Sequence, residues 1–319
     1  MYLGKTFGFF LFLCWIHYLQ MKKITPFLCF LLVLLANKTF SQPYVDIVSF
    51  NCQTFSSTYK DNTKWKNKTD DYFLNFFLPK EFKNGNTLLI RLNSEMISST
   101  FIPDSSYTSK LYNVSMPLGF QFVSKNKKWK TVLMTIPKIA SDLKDVIDKN
   151  DCQLGGIFLE NYIHNEKLKI KAGLYYNREA FGNFFMPLVG LDWKVSDRLN
   201  LYGILPTSYK VEYAVVKNKF YAGVNFRSLT RSFRLSKTQN LDYVRYNEIQ
   251  LKLFLDYFMY KKVLIFGELG YSLGKSPWQY TYNTKIETLH NPVYTPLKSY
   301  PVFNIGVAYR IRLDLEKRE

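Results

Sequence analysis

Apolar and polar positions alternate with a period of two along several stretches of this chain. In Lys167–Leu174 the even positions Leu168, Ile170, Ala172 and Leu174 are apolar, and the odd ones are Lys167, Lys169, Lys171 and Gly173. Ile249, Leu251, Leu253, Leu255, Tyr257 and Met259 repeat the pattern with Gln250, Lys252 and Asp256 between them. Phe303, Ile305, Val307, Tyr309, Ile311 and Leu313 repeat it again, against Asn304, Arg310, Arg312 and Asp314. Side chains on a strand point to opposite faces, so each segment has one apolar and one wet face. A soluble sandwich would bury one face against a second sheet and leave the other to water. Several charges on the wet face of strand after strand fit better with lipid outside a barrel and a polar lumen inside it.

The pattern predicts an all-β fold, a transmembrane antiparallel up-and-down β-barrel of 12–14 strands between Tyr44 and Leu315. The clearest hairpin joins Ile157–Ile163 to Lys167–Leu174. A two-residue turn at Asn165-Glu166 sets Ile163 opposite Leu168 and Leu159 opposite Ala172 on the apolar face, with Glu160 opposite Lys171 on the wet face. Short connections fall near Lys125–Lys128, Asn165, Asp197, Lys217 and Lys261. Longer ones fall at Ala140–Cys152, Asn177–Asn183, Ser228–Tyr243 and Ser276–Ser299, and Asp142–Asp151 has helical spacing. Short periplasmic turns alternating with long outer loops are the barrel arrangement, and both termini land on the short-turn side. Leu199–Val216 reads either as two short strands around Pro206-Thr207-Ser208 or as one bent strand, which leaves the count at twelve or fourteen.

Two domains follow: residues 1–41 as an upstream extension plus a cleavable signal peptide, and residues 42–319 as the barrel. Met21-Lys22-Lys23 is a basic start, Phe27–Ala36 an apolar core, and Thr39-Phe40-Ser41 a small-residue site before Gln42, with translation beginning at Met21. No later run approaches the roughly 18 apolar residues that a spanning helix needs. Tyr (24) and Phe (27) suit strands and interface girdles alike. The net charge is +18, four of it in residues 1–41. The basic residues are dispersed and carry no nucleic-acid motif, so the partners expected are outer-membrane lipid and the barrel assembly machinery, and no nucleic acid. Beyond residue 41 only Cys52 and Cys152 remain, and their spacing leaves bonded and free thiols equally open.

The candidate chemistry is a set of lumen charges: Glu160, Lys167, Lys169, Lys171, Lys252, Asp256, Glu268, Arg310 and Arg312, with Lys210, Arg227, Asp192, Glu212 and Asp314 beside them. Lysines two apart on a strand are about 7 Å from one another. At an effective dielectric near 20 their repulsion is about 2 kcal/mol, so three in a row imply water in the lumen or acids on adjacent strands. The first alternative is an anion-attracting pore lining, the second an interior plugged by ion pairs and by Phe254, Phe258, Phe266 and Tyr175. Asp70-Asp71 reads as a solvated loop pair. With His164 in a turn and His290 in a loop, and with no HxxxH or CxxC, no catalytic, cofactor or metal site is expected, and the chain is not read as an enzyme.

The run Gly173-Leu174-Tyr175-Tyr176, Gly182-Asn183, Pro187–Trp193 and Leu201–Pro206 resembles an uncharacterised family of Bacteroidota outer-membrane β-barrel proteins of unknown function. The resemblance covers Ser115 to Leu315. It implies a barrel fold and an outer-membrane location, and brings no site residues with it. Many such barrels end on an aromatic residue, whereas this chain ends Leu315–Glu319, which leaves Tyr309 and Ile311 as the assembly signal. The function expected is that of a monomeric outer-membrane barrel of unknown specific role. Passive transport of a small solute stands first, and a structural or surface-binding envelope role (with the aromatics Trp278, Tyr280 and Tyr282 on an outer loop or in the girdle) is the alternative.

Overall fold

The computed structural model describes residues 43–60, 64, 66–102, 108–236, 241–273, 278–282, 293–294 and 297–313. The predicted signal peptide, His290 and Asp314 lie outside them, as do the side chains of Trp278, Tyr280 and Tyr282. Among the described residues every regular element is a strand. In chain order these are β1 (Tyr44–Thr58), β2 (Lys66–Glu81), β3 (Thr87–Ile102), β4 (Thr108–Ser115), β5 (Leu118–Val123), β6 (Trp129–Ser141), β7 (Cys152–Ile163), β8 (Leu168–Glu179) and β9 (Gly182–Lys194). They continue as β10 (Leu199–Leu205), β11 (Ser208–Val216), β12 (Phe220–Arg234), β13 (Leu241–Tyr260), β14 (Val263–Ser272), β15 (Trp278–Tyr282), β16 (Val293–Tyr294) and β17 (Tyr300–Arg312).

All seventeen belong to one sheet, and the sheet closes on itself. β1 pairs with both β2 and β17, and β17 pairs in turn with β14. β4 and β5 occupy one position in the wall, since both pair with β3 and with β6. The interruption between them is Met116-Pro117, where proline has no N–H to give the ladder. β14 and β15 share a position beside β13 in the same way. The barrel therefore has fourteen wall strands, the upper of the two expected counts, and Leu199–Val216 forms two of them joined by Pro206-Thr207.

Alternation sorts the faces as the hydrophobic pattern requires. Ile249, Leu251, Leu253, Leu255, Tyr257 and Met259 are exposed on the outer wall, and so are Phe303, Ile305 and Val307. Their neighbours Lys252, Asp256, Asn304 and Arg310 are buried inside. Six short connections and the strand ends Tyr44 and Arg312 share one end of the barrel.

Five local readings are corrected, the first being the long connection Ser228–Tyr243, whose residues Ser228–Arg234 continue β12 and Leu241–Tyr243 begin β13. The β7–β8 register pairs Ile163 with Lys169 and Glu160 with Ala172, one residue from the expected pairing. The Asn165 carboxamide oxygen accepts from the Lys167 and Leu168 amides (2.9 and 2.8 Å), which lengthens the turn. A one-residue slip exchanges the faces of a strand, so Leu159 is buried inside and Phe158 lies on the outer wall. Asp70-Asp71 lies within β2, with Asp71 fully inside. Asn177–Asn183 is not a long loop, because β8 and β9 are joined by Ala180-Phe181 alone. Asp142–Asp151 forms turns and no helix.

Candidate functional site in the barrel interior

Near the short-turn end, side chains of the wall strands meet in pairs, between neighbours and across intervening strands. The Arg310 guanidinium on β17 donates to Asp46 on β1 (2.5 and 2.9 Å) and to Asp256 on β13, and its face lies 3.5 Å from the Tyr44 ring centre. Arg312 grips Glu212 on β11 with both arms at 2.8 and 3.1 Å and covers the Tyr221 ring at 3.9 Å. The planar fork of an arginine matches two carboxylate oxygens, which gives such pairs directional strength as well as charge. Beside them Tyr221, Phe258, Leu264, Ala214 and Ala308 form an apolar cluster, with Phe266 packed against it.

The middle of the lumen is a hydrogen-bonded set centred on Glu268. Lys252 pairs with it, Asn225 and Asn304 donate to its two oxygens at 2.8 and 2.9 Å, and Asn51 donates to Asn304 at 2.9 Å. The Lys252 side chain has no solvent exposure and that of Glu268 has 6 %. On the opposite wall Lys171 donates to Asp192 at 2.6 Å. Buried charges are tolerated when paired and hydrogen-bonded in this manner.

At the loop end the closure is of another kind. β13 runs for 20 residues, about twice the 9–11 that a spanning strand needs. The far part of the β12–β13 hairpin folds inward over the mouth. Ser232 on β12 donates to Glu179 on β8 at 2.6 Å and accepts from the Ala180 amide at 2.8 Å. Gln153 on β7 donates to the Ser232 carbonyl at 3.0 Å, and the Asp142 amide to that of Arg234 at 3.1 Å. Five wall strands, β7 to β11, separate β12 from β6 around the barrel, so these contacts cross it. Arg231 on the same hairpin binds Asp71 and Glu95 from β2 and β3. Phe233, Leu235, Val244 and Tyr246 pack with Phe55, Ile97, Leu111, Leu297, Tyr300 and Val302 into a single apolar stopper. Glu248 ties it down by accepting from Tyr246 (2.6 Å) and Tyr300 (3.0 Å).

Of the sequence-predicted lumen charges, Lys171, Lys252, Asp256, Glu268, Arg310 and Arg312 lie buried inside, and Lys169 is half-buried on the same face, opposite Asp192. Two do not belong there. Glu160 sits on the outer wall, where Thr131 donates to it at 2.7 Å, because the longer turn reverses the face of β7. Lys167 is exposed in that turn. The repulsion expected of three successive lysines is relieved by this placement and by Asp192. Sequence reasoning missed Asp46, Asp71, Glu95, Glu179, Arg231 and Ser232. The length of β13 and the polar inner set Asn67, Thr69 and Asp71 on β2 were the signals that pointed to them. Cys52 and Cys152 are both free. Among the described residues no group of three His, Cys, Asp or Glu could hold a metal.

A family model described as "Domain of unknown function (DUF6268)" matches residues 91–310, and no curated protein matches the chain. Among solved structures the chain is similar to a Pseudomonas aeruginosa FadL homologue, at 8% identity over 83% of this chain and 89% of that one, with a TM-score of 0.43. It is similar to an outer membrane channel from Pseudomonas putida F1, at 7% identity over 86% of this chain and 100% of the other, TM-score 0.41. The NanC porin matches at 10% identity over 83% and 100% of the two chains, TM-score 0.36.

Proposed function

The chain belongs to the DUF6268 family, and on that premise we propose that it is a monomeric outer-membrane barrel held closed by its own interior, with a structural or surface-binding envelope role. One observation carries this reading: Lys252, Glu268, Arg310, Asp256, Arg312 and Glu212 have side chains no more than 6 % exposed and are bound to one another or to neighbouring strands. A water-filled diffusion pore would leave such groups hydrated. The closed ring of strands leaves no free sheet edge for lateral pairing, which supports a monomer. Outer-membrane lipid around the apolar wall and the barrel assembly machinery are the partners this reading needs.

A second reading, gated passage of a small solute, is favoured by the loop-end closure, because a hairpin can move where a wall cannot. Planar-bilayer recording distinguishes the two. The purified barrel is expected to insert without steady conductance. Continuous porin-like steps from the wild type would overturn the closed reading, and rare voltage-dependent openings would favour the gated one.

A further inference from the structure

The two ends of the barrel differ in charge as well as in loop length. The six turns of the short-turn end, residues 82–86, 124–128, 164–167, 195–198, 217–219 and 261–262, contain ten Lys or Arg and two acids. Every one of them carries at least one exposed cation: Lys83, Lys127, Lys167, Arg198, Lys217 and Lys261. The connections of the opposite end hold five Lys and four Asp among the described residues. Dispersed along the sequence, the basic residues of the turns are brought by the fold into one ring.

A second feature fixes what that ring faces. Immediately inside the turns the outer wall carries Trp129, Trp193, Tyr213, Tyr257 and Tyr260, between 44 and 70 % exposed, and the Trp129 ring packs on that of Tyr162 at 4.8 Å. Aromatic residues on an outer wall mark the level where hydrocarbon gives way to headgroups. Beyond the girdle, the turn cations stand at the height of lipid phosphates, where Lys and Arg attract anionic headgroups.

We propose that the short-turn rim is a binding surface for anionic phospholipid headgroups of the adjacent leaflet, with the Lys125/Lys127/Lys128 turn as its densest point. The inference rests on the membrane-spanning reading above. Lysines at this level gain from lipid charge and lose that gain as salt screens it.

The test uses the whole protein reconstituted in bilayers of phosphatidylcholine with phosphatidylglycerol. Electron spin resonance of spin-labelled versions of the two lipids then gives their relative association with the protein. Phosphatidylglycerol is expected to be preferred about threefold at low salt, falling toward parity in 1 M NaCl and measurably reduced in K125Q/K127Q/K128Q, which keeps seven of the ten turn cations. The control K144Q/K149Q at the opposite end is expected to keep the preference. Equal association of both lipids with the inserted wild type overturns the proposal, as does a preference that the triple variant retains undiminished. Loss of the preference on replacing chloride with inorganic phosphate at equal ionic strength would assign the turns to free phosphate and also overturn it. Failure to insert, read separately as absence of a heat-modifiable gel band, would sink the barrel reading itself.

Discussion

At the short-turn end the interior is closed by side chains of the wall, Arg310 on Asp46 and Asp256 and Arg312 on Glu212. At the loop end it is closed by a hairpin that reaches from β12 and β13 to β6, β7 and β8. The first closure is made by side chains rooted in ladder-paired wall residues, with Arg310 reaching β1 and β13 and Arg312 reaching β11 past β14, β13 and β12, so its ion pairs brace the wall from within. The second is carried by the far part of a hairpin lying over the mouth, so its contacts can break while every wall ladder stays intact. Stability and closure should therefore separate experimentally, the turn-end network governing the former and the stopper the latter.

The largest effect is expected from Arg310→Met. It leaves the buried Asp256 and the half-buried Asp46 without their cation, a loss of about 3–5 kcal/mol for a broken buried pair. Urea titration of the folded gel band measures it, and the same variant is expected to stay silent in bilayers until it unfolds. Next comes Phe233→Ala, which cuts a fully buried ring from the stopper, at a cost of about 3 kcal/mol in that cluster. Its expected readout is the opposite one, with current openings appearing while the urea midpoint shifts less than in Arg310→Met. Ser232→Ala removes the donor to Glu179 and the acceptor of the Ala180 amide, about 1–2 kcal/mol, and should give openings that are rarer than those of Phe233→Ala. The smallest effect belongs to Glu160→Gln on the outer wall, within about 0.5 kcal/mol. A loss of several kcal/mol there would return Glu160 to the lumen and contradict the β7–β8 register.

β13 and β17 were legible from the sequence because their alternation runs for several pairs without interruption. With lipid on one side and ion pairs on the other, a one-residue slip would bury charge in lipid. β7 was not legible. Glu160 and Tyr162 interrupt its outer face, its inner face carries Leu159 and Ile163, and one side-chain oxygen, that of Asn165, decided the turn length. Asp71 was misread because its partner Arg231 lies 160 residues away, and no local pattern reports such a pairing. The same limit hid the stopper. Phe233, Val244 and Tyr246 alternate like any wall residues, and only the contacts of Ser232 across the mouth show that this stretch has left the wall. The basic rim was present in the sequence as scattered lysines and became a feature only when fourteen strands placed six turns together.

The most direct test of the stopper is a cross-link between Ser232 and Ala180, whose Oγ and amide nitrogen lie 2.8 Å apart. Both would be replaced by cysteine in a chain carrying Cys52→Ser and Cys152→Ser, then oxidised in the native membrane. A seated hairpin predicts rapid, near-complete disulfide formation, seen as a reduction-sensitive mobility change of the unfolded chain. A pair that stays reduced while the barrel remains folded would mean that the hairpin stands outside the mouth, and would contradict the closed interior.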